Sequence, residues 1–384
     1  MERRDIVLAL ALVALLCTTN AFAQTAANPL LAIDQHRTTV VERVINEWGD
    51  RLSLSGAGLN REQLREMLFA MRAERLPLPA AVHWIGFTGI GLSSLLIVLV
   101  LAADLLVVRS WGLDARTVSA GILGGAVLLT ALGTWGARRP RVVRVTVPIA
   151  GLPEDLEGFR IVQLSDLHVG ATIKRPFVRA VVDAANELDA DVIALTGDVA
   201  DGRVAALRAE VAPLADLRAR YGKFFVSGNH DYYWDAAGWH REIERLGFNV
   251  LTNAHRLLER GRGRLLLAGV TDRSASHRVP GHASDPAAAL AGAPKSDVKV
   301  LLAHQPGSAF AARAAGFDLQ LSGHTHGGQY FPFNLLVRLF QPFVAGLHRL
   351  EQMWLYVSRG TGYWGPPIRL GAPSEITQIE LTRA

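Results

Sequence analysis

"RIVQLSDLH" (Arg160–His168) and "DVIALTGDVAD" (Asp191–Asp201) decide the fold of this chain. Each is a short aliphatic run that ends in polar and acidic residues, the pattern of a buried strand. Between them, Val178, Val181, Val182, Ala185 and Leu188 recur at helical spacing. Asp166 lies 32 positions before Asp198, and Asp198 lies 31 before Asn229, which are strand–helix–strand distances. Other strand candidates are "RVVRVTVPI", "KFFVSGNH", "RLLLAGV", "VKVLLAHQ", "DLQLSGH", "LYVSRG" and "EITQIELT". Strands alternating with helices predict an α/β domain with parallel strands.

Five of these strands end in clusters that carry chemistry. They supply Asp166 and His168, then Asp198 and Asp201, then Asn229, His230 and Asp231, then His304, and finally His324 and His326. Ligands of open parallel sheets bind at the carboxyl ends of strands, so these clusters are expected to share one crevice. Such a crevice holds carboxylates, imidazoles and an amide. It holds no thiolate, since the sole cysteine is Cys17. Nitrogen and oxygen donors of this kind suit manganese, iron or zinc. There are more of them than one ion needs. Two ions about 3.5–4 Å apart activate water and stabilise an in-line displacement at phosphorus. The residues by themselves therefore predict a two-metal phosphoester hydrolase.

"DLH", "GDVAD", "GNHD", "AHQP" and "GHTHGGQ", in this order and spacing, resemble the calcineurin-like metallophosphoesterase superfamily. The likeness is nearest to its bacterial branch with membrane segments ahead of the catalytic domain, to which "GTGYWGPPIRLGAPSEIT" (360–377) is also similar. The resemblance covers about residues 141–384. It implies a four-layer α-β-β-α sandwich. It implies that Asp166, His168 and His326 hold one divalent ion, that Asn229, His304 and His324 hold the other, and that Asp198 bridges them. It implies that His230 faces the substrate while a hydroxide between the ions attacks phosphorus. Asp231 is expected to orient His230, and Asp201 to bond nearby backbone. The same resemblance admits a pyrophosphohydrolase acting on a sugar-nucleotide lipid such as UDP-diacylglucosamine. A reading from another class is a metal-binding scaffold without catalysis.

Half of the 384 residues are hydrophobic, and the mean hydropathy is +0.21, which points to membrane segments. Residues 1–23 read as a signal peptide, with a 12-residue apolar run (Ile6–Cys17) and Ala21-Phe22-Ala23 before Gln24. Residues 24–83 read as a helical segment. Residues 84–136 read as a transmembrane helix hairpin, from apolar stretches at 84–108 and 118–136. Gly121 and Gly125 are expected to let its two helices approach closely. Residues 137–384 are the catalytic domain. Arg138, Arg139, Arg141 and Arg144 follow the hairpin, where contact with anionic lipid is expected and no nucleic acid. Their charge favours a cytoplasmic domain. The signal peptide favours a periplasmic one at a bacterial inner membrane and is given the greater weight. Finally, Phe331, Phe333, Leu335, Leu336, Leu339, Phe340 and Phe343 are expected to pack in the core. The alternative is a bilayer-facing surface serving a lipid-linked phosphate ester.

Overall fold

A computed structural model describes residues 80–105 and 112–384. The expected signal peptide lies outside the described residues, as does the helical segment up to residue 79. Residues 87–384 form one compact unit, which holds both sheets and most of the two helices before them.

Among the described residues, twelve strands form two six-stranded sheets. The first runs β1 (Arg141–Ile149), β12 (Glu375–Arg383), β2 (Phe159–Leu164), β3 (Val192–Thr196), β4 (Lys223–Val226) and β5 (Phe248–Val250). The second runs β10 (Gly346–Leu350), β11 (Met353–Val357), β9 (Leu319–Ser322), β8 (Val298–Leu302), β7 (Gly263–Gly269) and β6 (Ala254–Arg260). The central strands β2, β3, β4 and β5 are parallel, as are β7, β8, β9 and β11.

Side-chain alternation assigns the layers. Val192 and Ala194 of β3 join Phe159, Ile161, Phe224 and Val226 on one face, against Leu265, Leu267, Val300, Leu302 and Leu321 of the other sheet. Ile193 and Leu195 point the other way, onto Val178, Val181 and Val182 of the helix Arg175–Asn186 and onto Trp239 and Ile243. The second sheet's outer face, with Ala268, Leu301 and Ala303, is covered by Ala309, Ala312 and Phe317. The result is the expected α-β-β-α sandwich. Strands buried on both faces read as continuous apolar runs, which explains why "DVIALT" shows no polar alternation.

Among the described residues, two helices precede β1: α1 (Ala80–Leu105) and α2 (Ala115–Ala137). Each is long and apolar enough to cross a membrane, and only 17% of the most apolar window in either is buried. A core helix of a water-soluble domain would be mostly buried, so these helices point to membrane association. The expected Gly121–Gly125 contact is not what the structure shows. A side chain on Gly121 would meet nothing, and one on Gly125 would touch only Leu99 at an ordinary 3.6 Å. The tight approaches are at Gly91 and Gly133, where a Cβ would come within 2.3 and 2.4 Å of Ile368. These helices leave out side chains where they receive a loop of the catalytic domain, which also donates the N–H of Arg369 to the Gly133 carbonyl at 3.0 Å.

Candidate metal centre

The expected site residues follow strands of both sheets. Asp166 and His168 follow β2, Asp198 follows β3, and Asn229 and His230 follow β4. His304 follows β8, and His324 and His326 follow β9. The crevice thus lies across the carboxyl ends of two sheets. Five of the expected ligands have left-handed backbone: Asp166, His168, Asp198, His324 and His326 have φ between 48° and 74°. Such a conformation costs about 1–3 kcal/mol per residue and persists where surrounding structure enforces it, typically at functional sites. Gly228 shows the crowding. A Cβ there would sit 2.1 Å from Asp198 Oδ1, so only glycine fits before Asn229.

The side chains converge in two groups. In the first, His168 Nε2 lies 3.0 Å from His326 Nε2, which lies 3.5 Å from Asp166 Oδ1. In the second, Asn229 Oδ1 lies 3.2 Å from His304 Nε2 and 3.0 Å from His324 Nδ1. Asp198 stands between the groups, with Oδ2 3.2 Å from His304 Nε2 and 3.7 Å from His168 Nε2. Asp166, His168 and His326 offer ligand atoms within 4.8 Å of one another, as do Asp166, Asp198 and His304.

Hydrogen bonds aim the imidazoles. His304 Nδ1 faces the Thr196 carbonyl at 2.8 Å, which only accepts, so Nδ1 carries a proton and Nε2 is the atom left to face Asp198 and an ion. His168 Nδ1 lies 3.2 Å from both Asp201 oxygens, which frees its Nε2 in the same way. His326 differs. Arg369 Nη2 donates to its Nδ1 at 2.8 Å, and a guanidinium can only donate. While that bond is made, the neutral ring carries its proton on Nε2, towards His168 Nε2; ligation through Nε2 would need the other tautomer, with the proton on Nδ1 and Arg369 left to its carbonyl partners. Arg369 also bonds the carbonyls of His326, Arg359 and Ala372, and burial pulls its pKa down to about 10.

Electrostatics fit a cation. Burial pulls His324 down to about 3, and burial with the Arg369 charge holds His326 well below its ordinary value. Both rings are therefore neutral, the form that ligates metal. His304 is pushed well up: burial opposes its charge, but Asp198 and Asp166 outweigh it. Buried carboxylates here demand positive charge, and a divalent ion supplies what a proton otherwise must. The donor set, two carboxylates, four imidazoles and one amide oxygen, therefore fits divalent metal ions.

Two expected roles are exchanged. Asp231 does not orient His230. Its carboxylate accepts backbone N–H groups of Gly228 at 2.7 Å, Asp198 at 3.0 Å and Val199 at 3.1 Å. It opens a short helix, Asn229–Trp234, and ties down the loop carrying Asp198. Asp201, expected to bond backbone, instead meets His230 Nδ1 at 2.6 Å. Asp201 and Asp198 push His230 up to about 9 against its burial. Tyr233 and Trp364 flank that ring, with centroids 5.1 and 5.6 Å away. Sequence reasoning passed over Arg369, Trp364 and Gln329. Gln329 bonds the carbonyls of Trp364 and Pro366, joining the His326 loop to the 364–370 loop. A charged residue inside the apolar "GPPIRLG" stretch was the available signal for Arg369.

Comparison with known proteins agrees with this geometry. Residues 159–328 match the Calcineurin-like phosphoesterase family. A "Transmembrane protein with metallophosphoesterase domain" from Danio rerio is 42% identical over 272 residues, 67% of this chain and 62% of that protein. An uncharacterized metallophosphoesterase from Helicobacter pylori is 36% identical over 248 residues, 64% of this chain and 65% of that protein. An uncharacterized metallophosphoesterase from Aquifex aeolicus is 31% identical over 262 residues, 67% of this chain and 97% of that protein. The chain thus spans less than two thirds of the first two relatives and nearly all of the third.

Proposed function

The chain belongs to the calcineurin-like metallophosphoesterases, and from that premise we propose that it is a membrane-anchored hydrolase of phosphate esters working with two divalent ions. The observation that carries this reading is the convergence of seven donor residues from the strand ends of two sheets, with His230 beside them. Asp166, His168 and His326 would hold one ion, and Asn229, His304 and His324 the other, with Asp198 shared. Manganese, iron or zinc suits these donors. Such ions, when bound, supply Lewis acidity and lower the pKa of water. The chain's own residues do the positioning. Asp201 holds His230 by Nδ1 at 2.6 Å, leaving Nε2 as the free end of the ring to meet a phosphoryl oxygen or a leaving group. Tyr233 and Trp364 narrow the approach to it.

We place the catalytic domain on the periplasmic side of a bacterial inner membrane, because residues 1–23 read as a signal peptide. Two of the arginines that argue otherwise are engaged within the protein. Arg138 bonds the Thr172 carbonyl at 3.1 Å, and Arg139 lies 4.6 Å over the Trp135 ring. Protection of the domain from protease in spheroplasts would overturn this placement.

Hydrolysis of bis(p-nitrophenyl) phosphate tests the activity. Full-length protein loaded with manganese should release p-nitrophenolate, and His230→Ala and Asp198→Ala should not. Protein that binds metal yet hydrolyses nothing with manganese, iron or zinc would be a scaffold instead.

A further inference from the structure

The segment after the last metal motif does not pack as a core. Residues Phe333–Leu336 form one helical turn and Val337–Leu339 another. Leu339 is 74% exposed and Leu335 56%, and Phe331 and Leu336 are exposed as well. The expectation of core packing holds at Phe343, which packs on Phe310 and His348, and fails for the leucines before it. Phe333 and Tyr330 face the protein on another side. They join Leu95, Ala126 and Ile368 in a cluster with Leu92, Leu96, Leu99 and Leu129 of the two apolar helices. Tyr330 also shares a hydrogen bond with Ser94 at 3.2 Å.

The height of that contact decides what the exposed leucines face. Ser94 precedes the end of α1 at Leu105 by eleven residues, and Ala126 follows the start of α2 at Ala115 by eleven. Eleven residues of helix rise about 16 Å. The hydrocarbon layer of a bilayer is about 30 Å thick. The apolar length beyond the docked segment is therefore too short to cross by itself. If the hairpin spans, residues 330–340 lie inside the apolar layer beside it. If it only dips, they lie at the same surface.

We propose that residues 331–340 form a bilayer-contacting surface that sets the metal crevice at the level of the lipid headgroups, so that the ester it takes is carried by a lipid. Tyr330 is four residues beyond His326, and Gln329 ties the same loop to Trp364 beside His230. No long tether separates the patch from the chemistry. An apolar surface rimmed by polar groups and continuous with membrane helices fits lipid better than water. The substrate half of this proposal rests on the hydrolytic reading above; the membrane contact does not.

The test uses the full chain in phosphatidylethanolamine–phosphatidylglycerol vesicles, on a Cys17→Ser background. A bimane label is placed by Leu335→Cys or Leu339→Cys, and for reference by Arg262→Cys, whose native side chain is 99% exposed. Acyl-chain bromines should quench the first two labels several-fold more than the third. Equal quenching overturns the contact. So does an unquenched label that cross-links to a second copy, which would assign the surface to a dimer. The substrate is tested with the double variant Leu335→Ser/Leu339→Ser. It should hydrolyse bis(p-nitrophenyl) phosphate as before and lose about tenfold on vesicle-borne phosphatidyl-p-nitrophenol, which has the same leaving group. Equal rates on the lipid ester overturn lipid capture. Failure of both proteins on both esters removes the hydrolytic reading and the substrate half with it, while quenching still decides the contact.

Discussion

Residues 321–329 and residues 331–340 are neighbours in sequence and opposites in chemistry. The first stretch buries His326 and threads between Asp166 and Asn229, while the second exposes Leu335 and Leu339. Each inverts the ordinary rule of water-soluble proteins, in which charge stays outside and hydrocarbon inside. Burying ionisable groups costs free energy unless something compensates it, and so does wetting a contiguous apolar surface. The difference teaches that each stretch is completed by something other than protein. On the readings proposed above, cations would complete the metal stretch and lipid the apolar stretch.

Removing the shared carboxylate breaks the first half of that comparison most severely. Asp198→Asn takes away the charge between His304 and His168 but keeps the shape. Metal content measured by plasma mass spectrometry should fall from two ions per chain towards none, and hydrolysis to background. Retention of both ions would break the assignment of Asp198 as the shared ligand.

The next effect separates Asp201 from Asp231. His230→Gln should lower kcat by about 10²- to 10⁴-fold, the usual worth of a positioned proton donor, with metal content unchanged. Asp201→Asn should weaken hydrolysis by about 10- to 100-fold through the two histidines it holds, at little cost in Tm. Asp231→Asn should do the reverse. It leaves backbone N–H groups poorly satisfied, costing about 1–3 kcal/mol of stability, and spares kcat in the folded fraction. A large kcat loss in Asp231→Asn with Tm unchanged would restore its expected role.

Sequence reading reached most of this fold because buried parallel strands leave continuous apolar runs. It missed β5, which has three residues. It missed β6, "AHRLLER", because an edge strand carries polar residues that resemble a loop. It missed β10 because that strand lies in a stretch judged by apolar content alone. The metal residues were legible because ligand chemistry admits few residue types. The partners of His230 were not, because Asp201 and Asp231 are each within a few residues of a motif centre, and only backbone direction tells which one turns inward. Leu339 and Leu302 look alike in sequence. Whether a leucine meets another sheet or stays exposed depends on what lies across from it.

Arg369 gives a smaller effect that sharpens the metal half. It holds the backbone that carries His326, through the carbonyls of His326, Arg359 and Ala372. Arg369→Lys keeps the charge but loses the fork that holds the carbonyls of His326 and Arg359. Metal affinity should drop about 10- to 100-fold, read by competition with a chelating dye in the absence of substrate. Unchanged affinity would make Arg369 a loop anchor only.

The smallest expected effect concerns leucine. Leu302 is fully buried between the sheets, and Leu339 is 74% exposed. In detergent, Leu302→Ala should cost about 2–5 kcal/mol in unfolding, from lost transfer energy and the cavity left behind. Leu339→Ser should stay within about 0.5 kcal/mol, because detergent or water meets the serine as readily as the leucine. The two values should diverge less in vesicles. There Leu339→Ser also forfeits hydrocarbon contact and acquires a cost, whereas Leu302→Ala, whose surroundings are protein in both media, does not change. A Leu339→Ser cost that is equal in detergent and in vesicles would mean that the side chain faces neither acyl chains nor another apolar partner, and the contrast between the two stretches would shrink to the metal centre alone.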